Sequence, residues 1–391
     1  LTVTTLTYSE FNMLTPANFT TNTDIYPMLS WESATGRGST DLTHYEVKIS
    51  TDVTFPDDNH TQTYTTTNTY LYPEIDLTFG TSYFWKVVAK PTAANSVPDN
   101  LGDMGAWVFT TVPATNGYQI TSIIPANRTL TEVNSDALNA INGYDGYRFA
   151  MNPGIAQGAT LTIEGGVTCE FTTGTKLTIN GNIVADGTGN AITMKRASTN
   201  TTSWQGIEFN GTTHDALVTG PNYGYISGNY LNNVDLEYTT KPISLATGAT
   251  GDLYIKDCTF THTENGIDVG SGSYVMNNAI NTFDVTGTQT VKYGIRGGML
   301  IASNTITGTD IDHKFAGLGI QTTNKNAMIS SNTITFVTGT AIDINSTATD
   351  GAPVIYNNII RSNGGIAIKA IKNATVSFNT IGGAAANHGN V

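Results

Sequence analysis

One phrase recurs through the C-terminal part of the chain, and few folds can hold it. Met276-Asn277-Asn278-Ala279-Ile280 is followed by Ile301-Ala302-Ser303-Asn304-Thr305-Ile306 and Ile329-Ser330-Ser331-Asn332-Thr333-Ile334. Ile355-Tyr356-Asn357-Asn358-Ile359-Ile360 and Val376-Ser377-Phe378-Asn379-Thr380-Ile381 continue the series. A second phrase alternates with it: Gly266-Ile267-Asp268-Val269, Gly294-Ile295-Arg296, Gly319-Ile320-Gln321, Ala341-Ile342-Asp343-Ile344 and Gly365-Ile366-Ala367-Ile368. Copies lie roughly 20–28 residues apart, a unit too small to bury a core of its own, so neighbours must stack.

The residue types select strands. Ile, Val, Thr, Gly and Asn dominate, apolar and polar positions alternate, and helix formers are scarce. Strand, turn, strand and turn repeated in one direction give a parallel β-helix with coils about 4.8 Å apart. Asn278, Asn304, Asn332, Asn358 and Asn379 share one slot, which the two preceding coils fill with Cys258 and Val234. A slot that accepts Val and Cys points inward, and a buried amide needs partners. The expectation is a ladder of Asn side chains bonded to one another and to the turn backbone. A carbohydrate-binding row is the alternative.

Residues 1–113 read differently. Strand-like runs alternate with turn clusters at roughly ten-residue spacing, the signal for a β-sandwich. Tyr83, Trp85, Val87 and Ala89 fall on one face of the clearest run. With Trp31 in the second strand, Leu77 before a corner, Tyr83 as a tyrosine corner and Trp107-Val108-Phe109-Thr110-Thr111 as the last strand, the segment resembles a bacterial fibronectin type III domain. That resemblance implies a seven-stranded sandwich used as a spacer, docking or carbohydrate-adjacent module, and no chemistry. Trp31, Trp85 and Phe109 match the inward face, so core packing is expected of them rather than a sugar platform.

Residues 114–157 read as a linker and an N-terminal cap, with a short helical turn near Ser135–Ala140. From Gly158 onward come Ala159-Thr160-Leu161-Thr162-Ile163, Lys176-Leu177-Thr178-Ile179 and Trp204-Gln205-Gly206-Ile207-Glu208-Phe209. Together with the Asn-x-Ile repeats, residues 158–391 resemble the right-handed parallel β-helix proteins of the pectate-lyase-like superfamily. The expected fold class is therefore all-β: a fibronectin type III-like sandwich, then a right-handed β-helix. The resemblance implies fold more than function, because that superfamily spans polysaccharide lyases, glycosidases, phage spikes, adhesins and surface proteins. Residues 210–232 break the period and read as a projecting loop. Its Tyr223, Tyr225 and Tyr230 would either stack on sugar rings or cover the base of the loop.

A net charge of −13 argues against nucleic acid and anionic membranes as partners. A charged content of only 13% suits an extracellular all-β protein. No apolar run approaches membrane-span length, so membrane insertion is not expected. The chain begins at Leu1 without Met, which fits a processed secreted protein. Cys169 and Cys258 sit several coils apart, too far for a disulfide, and are expected to be free inward thiols.

For chemistry, one outward column should hold Glu208, Ser244, Asp268, Arg296, Gln321, Asp343 and Ala367. Asp268 and Arg296 would pair there as an exposed contact of little worth to stability. A uronate lyase needs carboxylates around a cation and a Lys or Arg as base, and an inverting glycosidase needs separated carboxylates. The local candidate is Thr309-Asp310-Ile311-Asp312-His313-Lys314, with Arg296 and Asp343 beside it. Its bland reading is a solvated charged turn. No cofactor is called for, with Ca2+ the one ion the acidic composition would suit. The last coil is followed by Gly382-Gly383-Ala384-Ala385-Ala386 with no capping pattern, so the expectation is that either the protein continues or another copy stacked end to end covers it. Three functions remain open: a non-catalytic structural or adhesive surface protein, a polysaccharide lyase or glycoside hydrolase, and a carbohydrate binder without turnover.

Overall fold

The computed structural model describes residues 11–34, 42–91, 105–210, 215–220, 223–282, 293–308, 317–335, 337–347, 350–361, 365–371 and 373–382. The chain is all-β and divides into two compact units, Leu1–Gly117 and Tyr118–Val391.

The first unit is sandwich-like. A three-stranded antiparallel sheet holds Met13–Thr15, Leu29–Trp31 and Tyr70–Leu71. A five-stranded sheet is centred on Ser82–Pro91, flanked by Leu42–Ser50 and Trp107–Thr111. Alternation along Ser82–Pro91 sends Tyr83, Trp85, Val87 and Ala89 into the core with Trp31, Tyr45 and Phe109. Trp31, Trp85 and Phe109 are at most 2% exposed, so they present no platform to a ligand. The Tyr83 hydroxyl accepts the Thr78 backbone N–H at 3.0 Å, tying the chain reversal to the strand that follows it.

The second unit is a parallel β-solenoid of three sheets. Sheet I runs through ten strands from Arg128–Leu130 to Thr375–Ser377, and sheet II through eleven from Gln119–Ile120 to Thr380–Gly382. Sheet III has nine, from Gly154–Ile155 to Ile368–Lys369. Within these three sheets each strand pairs parallel with the strand one coil away, so inward residues form columns. Leu231, Ile255, Val275, Ile301, Ile329 and Ile355 make one in sheet I. Ile207, Ile243, Ile267, Ile295, Ile320 and Ile342 make another in sheet III. Each of these side chains is buried.

The ladders begin at Gln119, upstream of the Gly158 where the repeat phrases start. A helix, Glu132–Asn139, opens from the first coil with Thr131 as N-cap, covering the stretch where a helical turn is expected. Arg128 faces inward in the first strand of sheet I, only 4% exposed. Its guanidinium bonds the Tyr118 hydroxyl at 3.0 Å.

Sheet I passes to sheet II through a corner of two residues in most coils. The first takes a positive φ, as at Asn277 (55°), Ser303 (59°), Ser331 (57°) and Asn357 (57°). The second is the ladder residue. Asn304 donates its backbone N–H and its Nδ2 to Asn332 Oδ1, both at 2.9 Å, and Nδ2 also donates to the Val275 carbonyl at 2.9 Å. Asn278, Asn332 and Asn358 repeat the pattern with the rung ahead of each. Asn304, Asn332 and Asn358 are fully buried, so the ladder belongs to the core and the carbohydrate-row alternative falls.

Candidate functional site

The outward face of each sheet is a place where chemistry could be assembled, because its residues sit in columns one coil apart. In sheet III the column is Glu208 and Ser244, then Asp268, Arg296, Gln321, Asp343 and Lys369. Ala367 does not occupy the last slot. Ile342 pairs with Ile368 and Asp343 with Lys369, which sets the strand two residues away from the expected alignment. A two-residue slip keeps every side chain on its face, so alternation alone cannot exclude it. The slip brings the Lys369 ammonium to 3.1 Å from Asp343.

Arg296 and Asp268 do pair. The guanidinium meets the carboxylate in a fork, with Nε to Oδ1 at 2.8 Å and a second contact from the other arm. Asp268 is 8% exposed while the Arg296 side chain is 49% exposed, so the carboxylate is enclosed and the guanidinium stays at the surface, as the sequence suggests. The Tyr293 ring lies 4.5 Å from the guanidinium carbon and covers it. Asp343 is also buried; its Oδ2 accepts from Gln321 Nε2 at 3.3 Å, and its Oδ1 lies 3.1 Å from the Lys369 ammonium as an ion pair. Lys176 and Glu208 form a further pair at 2.7 Å. Glu208, Asp268 and Asp343 are each matched to a cation one coil away. Carboxylates matched in this way do not converge on a reacting atom. Asp310, Asp312, His313 and Lys314 lie outside the described residues. Among the described residues no group of three or more His, Cys, Asp or Glu side chains could hold a metal ion.

Sheet I carries a different surface. Tyr230, Tyr254 and Tyr274 stand in one outward column, one per coil. Tyr230 belongs to the strand Asn229–Asn232 and not to the projecting segment, which is shorter than expected. That segment contains a small hairpin of Leu217–Thr219 and Gly224–Ser227. Tyr225 from the hairpin stacks on Tyr230 with ring centres 4.1 Å apart and planes within 8°. Tyr223 leans on Tyr274 at 5.7 Å. The tyrosines therefore fasten the hairpin to the sheet, and their faces are spent on one another. Burial raises the Tyr225, Tyr230 and Tyr254 hydroxyls above the ordinary tyrosine range, with Asp186 adding to the rise at Tyr225 and Tyr230. None is poised as a base.

The two thiols are free and buried. Burial pushes Cys258 up to about 12 and raises Cys169 further, so neither is a nucleophile near neutrality. Among the described residues no helix is long and apolar enough to cross a membrane. No family model matches the chain, and no match is found among the curated proteins or the solved structures.

Proposed function

We propose that this protein is a non-catalytic structural or adhesive component of a cell surface or extracellular assembly. The observation that carries the proposal is the continuous three-sheet ladder, in which buried Asn and Ile columns hold coil after coil in fixed register. The outward charges of sheet III are spent on pairs along the axis. Such a body is suited to spacing and display more than to turnover. The fibronectin type III reading of the first unit is supported by the bond from Thr78 N–H to the Tyr83 hydroxyl, and modules of that kind serve as spacers.

End-to-end association is part of the proposal. Val376 and Ile381 stand in line with the fully buried Ile355 and Ile360, yet are 50% and 37% exposed. A second copy stacked on Thr375–Gly382 would bury them and extend the ladder.

Sedimentation velocity over a wide concentration range, with negative-stain images of the same samples, tests this. Strings of particles that lengthen with concentration are expected. A monomer at every concentration would remove the assembly. Release of unsaturated uronates or new reducing ends from a panel of polysaccharides would overturn the non-catalytic reading.

A further inference from the structure

The outward face of sheet II differs from the other two. Over four successive coils its two ranks read Thr259 and Thr261, Ala279 and Asn281, Thr305 and Thr307, Thr333 and Thr335. These eight positions carry no charge, in a chain of net charge −13. Charge returns immediately on either side, with Asp235 and Glu237 before the patch and Arg361 after it. None of the eight side chains is buried, and Thr305 is exposed.

Strand propensity alone does not explain the choice. Threonine suits any half-exposed strand. Yet the matching coils of sheet I show Tyr254, Tyr274, Leu300 and Met328 outward, and those of sheet III show Asp268, Arg296 and Gln321. Threonine is concentrated on one face of three that share the same backbone.

The array is also fixed in space. Coil spacing is about 4.8 Å and ranks on one strand are about 6.6 Å apart, both set by backbone geometry. Beneath it lie Phe260, Ile280, Ile306 and Ile334, each fully buried. The rungs Asn278, Asn304 and Asn332 stand at the residue just before three of these strands. The Thr335 hydroxyl even bonds that of Thr307 in the next coil, at 3.3 Å. A preformed surface loses little entropy on binding.

We infer that this face binds ice. An array of six threonines interrupted in one coil by Ala279 and Asn281, without charge or aromatic rings, complements an uncharged lattice of water. The methyls fit between lattice oxygens, and the hydroxyls join the lattice as donors and acceptors. A crystalline polysaccharide is the weaker match, since sugar faces are gripped by flat aromatic rings and this face has none.

The full chain is to be measured for thermal hysteresis and for the shape of ice crystals grown in its presence. A hysteresis gap and faceted crystals are expected. The double variant Thr307→Tyr/Thr335→Tyr should lose most of the gap, as should Thr305→Lys at the exposed position. Ser244→Tyr on sheet III should keep it. Circular dichroism and melting curves of each variant establish that it is folded, and Thr305→Lys keeps the test decisive if the double variant is not. Absence of hysteresis in the parent chain overturns the inference, and so does an unchanged gap in folded Thr305→Lys. Retention on crystalline cellulose or chitin without any effect on ice overturns it in favour of a glycan.

Discussion

One corner column of the solenoid is built in two ways. In the earlier coils it holds Val167, Ile192, Val234 and Cys258, and in the later coils Asn278, Asn304, Asn332, Asn358 and Asn379. The earlier half fills its interior with rings. Phe149, Phe171 and Trp204 stack with centres 4.9 Å and 3.8 Å apart, the second pair nearly coplanar at 5°. The later half has Ile columns and a hydrogen-bonded amide column. The contrast teaches that one backbone is held by bulk where corners are apolar and by directional bonds where they are polar.

Cys258 is the joint between the two. Its backbone N–H donates to Asn278 Oδ1 at 2.9 Å, as a ladder Asn would. Its thiol points to the Leu231 carbonyl at 3.6 Å, and Leu231 pairs with Ile255, the residue whose carbonyl receives the Asn278 amide. The sulfur in turn receives the Val234 backbone N–H. A thiol thus takes one rung's donor and acceptor roles weakly, and ends the ladder without leaving an orphan.

The largest effect should come from the ring-filled half. Phe171→Ala empties the middle of the stack and should cost about 4 kcal/mol in urea unfolding, the usual loss for a buried phenyl group. Asn332→Val should follow at about 3 kcal/mol, because it orphans the Asn304 backbone N–H and amide in the core. Val is native in the same slot at position 234, so an unchanged denaturation midpoint would show that the polar column is optional. Asn379→Ala should cost only about 1 kcal/mol, since Asn379 is half-exposed and water can reach the donors it releases.

Two finer measurements test the joint. Cys258→Asn should change stability by less than about 1 kcal/mol, as its Oδ1 would meet the Val234 N–H and its Nδ2 the Leu231 carbonyl. The thiols should also set an alkaline limit. Both are raised in the folded protein, so the native state holds protons that the unfolded chain releases. Stability from these groups is then complete below the free thiol range near pH 8.5 and falls as pH rises, by up to about 1.4 kcal/mol per pH unit for each thiol. Cys258→Val should lessen that fall in unfolding curves between pH 8 and 10, and labelling with a thiol reagent at pH 8 should require unfolding.

Much of this was legible in residues. The recurrence of Asn with Ile two places on gave the coil and the inward slot, because only a stacked fold repeats at that length. Asp268 and Arg296 could be paired on paper, since the phrases around them align without gaps. The Lys369 position could not, because Gly365-Ile366-Ala367-Ile368 fits two alignments that differ by one full alternation. Burial of Asp268 and Asp343 was equally hidden, as nothing in a sequence reports what covers an outward carboxylate. The sequence pattern assigns Tyr230 to the loop because the hairpin of Leu217–Thr219 and Gly224–Ser227 interrupts the period just before its strand. The first coils are hidden in the sequence for a similar reason: the helix Glu132–Asn139 separates Arg128–Leu130 from Tyr147–Phe149.

The sequence by itself determined that the later chain stacks, which residues turn inward, and that the two thiols stay apart. These follow from period and alternation, which are local properties of a strand. Only the tertiary structure decided which outward residues become neighbours. Columns form across coils more than twenty residues apart, so an insertion or a two-residue slip anywhere between them resets every pair. For that reason the threonine face, the paired charges and the tyrosine fastening emerge only once the coils are laid on one another.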